Sequence, residues 1–503
     1  MNTLTIFTPQ VELKPSQKKV KSALYQAIRD GNERVLVVAP CAWGKTIFAS
    51  SVIADAVKKG RKCLFVVHAE VLIAQTLNAL AKFGLNTGVI AGAYKENRTA
   101  DVQVATVQAL ASRSKRGLDS WFNPDVVIID EAHDRSLWSL WTQKKFPKLS
   151  NGQIFKDNDF LLPYLMKIGL DTADLTWQEI QKAHKTASIK AHPDHGGSDE
   201  AMKIINLAWE EIKKHKARFA DAKTNQTINS LNAYNAVLIG LTGSPYRLKK
   251  TENMGDFFQV QVLAPTPKQM IEEGYLTPCV YYGLPKIKTQ GVKTNNLGDF
   301  NSDELTTNAL EVVKDLVTNY KRICPDRTFI CFACSIRHAQ MIVQEFNDNN
   351  IKVKIVTGST DPKNERPIIY NELRTKQIQG IVSVDCLTTG FDVTNISCIL
   401  LSRPTKSLAL FIQMLGRGMR LHDNKEDCYV LDQSGNVHKF GFIETLVYPE
   451  LGKGQQKEKG EAPVKECPNC HKLVPISTRV CTCGYEWELK EKSQKKRKAT
   501  GDM

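Results

Sequence analysis

One stretch restricts the folding of this chain more than any other. Residues 35–39 are a β-branched apolar run that breaks at Pro40, and the chain resumes with helical spacing through Ala49, Val52, Ile53 and Ala56. Such a switch reads as strand, loop and helix. The loop closes on Gly44-Lys45-Thr46, although Ala39 stands where loops of this kind usually begin with glycine. N–H groups at a helix start attract anions, the Lys45 ammonium neutralises phosphate, and the Thr46 hydroxyl suits Mg²⁺. A second buried strand is expected over 125–129, ending in Asp130-Glu131-Ala132-His133. Two carboxylates at a strand end are costly to bury unless one meets a metal and the other a proton. That assigns Asp130 to Mg²⁺ and Glu131 to an attacking water, against the bland alternative of an acidic turn capping the next helix.

From Arg327 the pattern is strand (328–332), helix (338–347), strand (353–357), helix (365–373), strand (380–384), a parallel α/β arrangement. Gln413, Gly416, Arg417 and Arg420 follow at spacings of 3, 1 and 3. On a helix this sets both guanidiniums on one side, either to stabilise charge on a transferring phosphoryl group or simply to pair with surface acids. Lysine, carboxylates and arginines come from different halves, so the expectation is a two-part ATPase site whose turnover changes the spacing of the halves.

Taken together these residues resemble a superfamily 2 helicase of the DEAH-box type. The likeness continues through Val66-Val67-His68, Thr106-Val107-Gln108, Leu241-Thr242-Gly243-Ser244-Pro245 and Asp385-Cys386-Leu387-Thr388-Thr389-Gly390-Phe391-Asp392, and upstream through Leu13-Lys14-Pro15-Ser16-Gln17. Ser16 and Ala69 depart from the family's usual aromatic or histidine and arginine. The resemblance implies two RecA-like lobes using ATP and Mg²⁺, with catalysis by Lys45, Asp130, Glu131, Arg417 and Arg420. It assigns nucleotide binding also to Gln17, Gly44, Thr46, Gln413, Gly390 and Asp392. Coupling and nucleic-acid contact fall to His133, Thr242, Ser244, Thr106, Gln108, Thr388 and Thr389. The stretch 255–282 and Arg403-Pro404-Thr405-Lys406-Ser407-Leu408 are similar to the group holding repair and transcription helicases and phage or prophage replication helicases, which implies DNA over RNA.

Between the acidic box and Leu241 lie 107 residues, 134–240, where the family has a few tens. Residues 165–170 and 177–191 show helical spacing with a basic face, then come His192-Pro193-Asp194 and a helix carrying Ile204, Ile205, Leu207, Ala208 and Ile212. This insertion resembles a J-domain, the module that stimulates DnaK-type chaperones. Pro193 would stiffen the loop and expose Asp194, while Lys182, Lys185 and Lys190 would meet an acidic surface. A fixed spacer or a DNA-facing arm are the alternatives.

Residues 453–463 read as a linker. Beyond it, Cys467-Pro468-Asn469-Cys470 and Cys481-Thr482-Cys483-Gly484 lie ten residues apart, a spacing suited to tetrahedral Zn²⁺, with His471 as an alternative ligand to the tighter second pair. The redox alternative needs a thioredoxin-like setting that the sequence lacks. The other cysteines are scattered in apolar strands and read as buried thiols in a reducing compartment. Residues 490–498 place six basic side chains against one acid, and the whole chain carries +15. A basic body with a basic tail suits nucleic acid, and the tail reads equally as a targeting signal. No apolar run approaches the ~18 residues of a membrane span, so a cytoplasmic protein without membrane partners is expected.

The expected fold is α/β: RecA-like lobe 1 over 1–142 and 231–255, a helical J-like insertion over 143–230, RecA-like lobe 2 over 256–450, a linker over 451–464, a zinc ribbon over 465–489 and a basic tail over 490–503. The expected function is an ATP-dependent DNA helicase or translocase in phage or bacterial replication, recombination or repair, meeting replication proteins. A DNA-bound co-chaperone scaffold and an RNA helicase are the competing readings.

Overall fold

The computed structural model describes residues 11–92, 94–115, 122–133, 177–192, 198–214, 236–244, 254–295, 298–362, 364–386, 391, 393–448, 450–451 and 462–488. The chain divides into two compact units, Met1–Val37, Thr46–Thr242 and Phe257–Val262 in one, and Val38–Lys45, Gly243–Asp256 and Leu263–Met503 in the other.

The first sheet has seven strands: β1 (Arg34–Val38), β2 (Cys63–Val67), β3 (Thr87–Ile90), β4 (Val102–Thr106), β5 (Val126–Ile129), β6 (Val237–Thr242) and β7 (Val260–Leu263), in the order β3-β4-β2-β5-β6-β1-β7. The pairs from β3 across to β6 are parallel. Every residue of β2 and β4 is buried, which is why β2 reads as a continuous apolar run, while β4 also buries Gln103 and Thr106. Four helices belong to the same lobe: α1 (Pro15–Arg29), α2 (Lys45–Val57), α3 (Val71–Ala81) and α4 (Val107–Lys115). Helix α1 is tied to α2 by Asp55, which accepts from Tyr25 Oη and Lys21 Nζ, each at 2.8 Å. The first sheet runs one strand past residue 255, because β7 joins its edge, where Gln259 Oε1 accepts from the N–H groups of Glu33 and Arg34.

Within the insertion, α5 (Trp177–Ala191) and α6 (Asp199–Lys214) pack on each other. Ile180, Ala191, Ile205 and Ile212 form their core, and His184 stacks on Trp209 with centroids 4.0 Å apart. Of the apolar residues expected on α6, Ile204 and Leu207 are exposed. Residues 165–170, Pro193 and Asp194 lie outside the described residues.

The second sheet comprises β8 (Cys279–Gly283), β9 (Phe329–Ala333), β10 (Val353–Val356), β11 (Gly380–Ser383), β12 (Cys398–Ser402) and β13 (Cys428–Asp432), all parallel, in the order β10-β11-β9-β12-β13-β8. It is served by α7 (Val313–Ile323), α8 (Ile336–Asp348), α9 (Glu365–Arg374) and α10 (Leu408–Gly416). Tyr320, Phe329 and Phe346 meet ring to ring in its core, at 4.8 to 5.4 Å. Truncating any such buried aromatic typically costs about 3–5 kcal/mol. Tyr320 Oη is not left bare, since it donates to the Arg327 carbonyl at 2.6 Å.

The C-terminal cysteines sit on a two-stranded antiparallel ribbon, β14 (Val464–Glu466) and β15 (Leu473–Pro475). It docks on β8, the outermost strand of the second sheet. Gly283 N–H donates to the His471 carbonyl at 2.8 Å, and Tyr282 bridges Lys472 in antiparallel fashion. The approach is close at Gly283, where a β-carbon would lie 2.6 Å from Glu466 Oε2 and would push that carboxylate aside. The end of the expected linker is already ordered, with Ala462 N–H on the His438 carbonyl.

Candidate nucleotide and metal sites

The loop after β1 turns left-handed twice, at Ala42 (φ 64°) and Gly44 (φ 96°), before α2 starts at Lys45. Alternation of this kind points successive N–H groups inward and makes a cradle for an anion. The fully buried Trp43 anchors the loop. A β-carbon at Gly243 would sit 3.1 Å from Lys45 Nζ, so the lysine lies against the turn that follows β6. Cradle, ammonium and the Thr46 hydroxyl opening α2 together fit a nucleoside triphosphate with Mg²⁺.

The acidic segment follows β5. Asp130 Oδ1 accepts from the Glu131 N–H at 3.1 Å, and Glu131 is held at φ 49°, a left-handed strain uncommon for a residue other than glycine. His133 Nδ1 lies 2.8 Å from Thr242 Oγ1 and 3.4 Å from Glu131 Oε2, and Ala132 N–H donates to the Leu241 carbonyl. One imidazole therefore spans the acidic segment and the end of β6. Ser244 is buried. Thr106 Oγ1 accepts from the Ala109 N–H, and Gln108 Nε2 donates to the His68 carbonyl at 3.4 Å, at the ends of the paired strands β2 and β4. Gln17 is buried in the first turn of α1, with Oε1 accepting from the Lys14 N–H.

In the second unit the arginines come together differently from expectation. Helix α10 stops at Gly416, with Arg417 as its C-cap and Arg420 beyond it in a turn, so helical spacing does not align them. Beyond the helix Gly418 is pressed on the sheet, where a β-carbon would lie 2.3 Å from Cys428 Sγ and 2.9 Å from Ile399 Cγ1. Both guanidiniums still converge, donating from Nη1 to the Phe391 carbonyl at 2.9 Å (Arg417) and 2.7 Å (Arg420). A main-chain acceptor leaves no mark in a sequence, so Phe391 was not foreseen. Gln413 is half-buried on α10, and Thr388, Thr389, Gly390 and Asp392 lie outside the described residues. Nearby Asp385 takes a left-handed φ of 57° and pairs with Arg403.

Cys467, Cys470, Cys481 and Cys483 bring their sulfurs within 4.8 Å of one another, with Cys467–Cys483 and Cys470–Cys481 each at 3.6 Å. Zn–S bonds of about 2.3 Å in a tetrahedron put the sulfurs ~3.8 Å apart, so the four thiols fit zinc. The Tyr485 N–H pulls the exposed Cys483 thiol down to about 6, towards the thiolate a metal needs. His471 instead places Nδ1 2.7 Å from Glu466 Oε1. The tight second pair is therefore part of the sulfur cluster itself.

Residues 10–150 match the family described as "Type III restriction enzyme, res subunit", and residues 308–422 match "Helicase conserved C-terminal domain". Residues 465–489 match an uncharacterised protein family, UPF0547. A 51.5 kDa protein of Lactococcus phage is 30% identical over 52% of this chain and 58% of its own length. IRC3 of Saccharomyces cerevisiae, named as an ATP-dependent helicase, is 25% identical over 84% of this chain and 51% of its own length. The chain thus spans about half the length of the curated relatives it matches. A fragment named as the HsdR subunit of a type I restriction enzyme from Vibrio vulnificus superposes with a TM-score of 0.52 at 17% identity, covering 86% of this chain and 66% of that one. At that identity the likeness speaks for the fold, two RecA-like lobes with parallel sheets. Each sheet thus carries its own family match, one to a restriction-enzyme subunit and one to a helicase C-terminal domain, and in sequence the chain is similar to superfamily 2 helicases.

Proposed function

We propose that this protein is an ATP-driven DNA translocase or helicase. The observation that carries the reading is the contact of His133 Nδ1 with Thr242 Oγ1 at 2.8 Å, beside Glu131. It sets one imidazole between the residue suited to activate water and the end of β6. In this reading Lys45 neutralises the phosphates, Thr46 and Asp130 hold Mg²⁺, and Glu131 takes the proton of the attacking water. Arg417 and Arg420 stabilise charge on the transferring group, an effect of about 10³ to 10⁵ in rate. Gln17 and Gln413 serve the nucleotide, while Thr106, Gln108 and Ser244, with Thr388 and Thr389, serve the nucleic-acid strand. The four cysteines hold Zn²⁺ in a structural role, because four protein ligands leave no open position.

DNA is favoured over RNA by the likeness to restriction subunits, and the phage relative supports a phage or bacterial setting. The test is ATP hydrolysis without nucleic acid and then with double-stranded DNA, single-stranded DNA or RNA, alongside Lys45→Ala and Glu131→Gln. Stimulation by DNA, lost by 10³-fold or more in both variants, is expected. Stronger stimulation by RNA would overturn the substrate, and wild-type turnover by Glu131→Gln would overturn the base.

A second activity is favoured by one feature of the insertion. Lys182, Lys185 and Lys190 are all exposed on α5, just before His192. This basic stripe suits an acidic partner, and with His192, Pro193 and Asp194 it supports contact with a DnaK-type chaperone. Stimulation of a DnaK-type ATPase that disappears in Asp194→Asn is the expected result, and no stimulation would reduce the hairpin to a spacer.

A further inference from the structure

The turn that carries both arginines is held along its backbone by two residues to which no role has been given so far. Thr277 precedes β8 and Lys425 precedes β13, and these strands are neighbours in the second sheet. Thr277 N–H donates to the Met419 carbonyl at 2.9 Å, and Thr277 Oγ1 donates to the Arg420 carbonyl at 3.1 Å. Lys425 Nζ donates to the carbonyls of Gly418 and Arg420, the latter at 2.7 Å. Three consecutive carbonyls, from Gly418 to Arg420, are thereby tied to the sheet. Gly418 itself is wedged on Cys428 and Ile399, so the turn is fixed from its side-chain face as well.

Lys425 is half-buried, and its recorded partners are main-chain carbonyls, with no carboxylate among the described residues. Burial pulls its pKa below the usual lysine value, and the thiols of Cys428 and Cys279 pull the other way. Partial burial of an ammonium without a counter-charge is costly. A lysine placed to grip both ends of this turn accounts for it.

We propose that Thr277 and Lys425 are positioning residues for Arg417 and Arg420: they fix the turn from which both guanidiniums extend to the Phe391 carbonyl. The proposal rests on the reading of these arginines as phosphoryl-stabilising groups. Displacing such a group by ~1 Å typically costs about 10²-fold in rate.

The experiment is steady-state ATPase kinetics with saturating DNA on the full chain. Lys425→Met should lower kcat by about 10- to 100-fold with the KM for ATP changed less than about twofold. Lys425→Arg should recover most of the loss, since a guanidinium can still donate to two carbonyls. Thr277→Val removes only the hydroxyl and keeps the N–H bond, so it serves if Lys425→Met does not fold, and Thr277→Ser should restore it. Wild-type kcat in Lys425→Met and Thr277→Val, with Arg420→Ala inactive, would overturn the positioning role while leaving the arginine reading intact. An active Arg420→Ala would overturn the arginine reading itself. A parallel loss in kcat and KM that Lys425→Arg fails to rescue would assign both residues to folding alone.

Discussion

His338 shows how one side chain can set the pH response of a lobe. It is fully buried in the first turn of α8, with Nδ1 accepting from the Cys334 N–H at 3.3 Å and Nε2 without a partner. Burial pushes its pKa down to about 4. The unfolded chain binds a proton at this position near pH 6.5, whereas the folded chain resists until about 4. Stability is therefore full above about 6.5 and falls as the pH drops towards 4, by roughly 3 kcal/mol at most. Urea midpoints at pH 7 and pH 5 should show the fall, and His338→Gln should remove most of it; an unchanged slope would exclude His338 as its source. The local order around Lys45 and Glu131 was legible in the sequence, since each follows a short apolar strand, β1 or β5. The Phe391 carbonyl as the shared acceptor of Arg417 and Arg420 was not legible, because a backbone acceptor leaves no side-chain signal.

Elements were legible to the extent that their causes are local. The five elements expected between 328 and 384 all form, because each is bounded by its own turn residues and carries its own apolar run. The arginine segment departs from helix after Gly416, and there Gly418 packs on Ile399 and Cys428, a long-range fit that periodicity cannot see. The place of β7 in the first sheet has the same origin, since the chain after the turn returns to pair beside β1. A similar long-range fit makes Gly240 a sensitive position. A β-carbon there would lie 2.3 Å from Phe258 Cζ and 3.0 Å from Ala132 Cβ. Overpacking of this kind costs about 1–3 kcal/mol. Gly240→Ala is expected to lower the melting temperature and, because Ala132 adjoins Glu131, to reduce kcat; a variant with an unaltered melt and turnover would show that Phe258 yields freely.

At the scale of the molecule, the formal charge of +15 suits a polyanionic partner, and if that partner is DNA, as proposed, affinity should weaken steeply as salt rises. The ribbon adds a constraint of another kind. Chelation of the zinc that the four thiols are proposed to hold should unfold residues 465–488, since so short a segment lacks a core of its own, and its release on chelator addition can be followed with a colorimetric dye. The docking of the ribbon on β8 then takes on a meaning unrelated to nucleotide or DNA. As the last strand of its sheet, β8 would otherwise present open N–H and C=O groups, and such edges recruit strands from other molecules. The His471 carbonyl and the Lys472 bridge occupy that edge. A chain cut before Val464, or stripped of metal, should self-associate with rising concentration in static light scattering while the full metal-loaded chain does not. On this view a metal held by the four thiols would also guard the chain against aggregation.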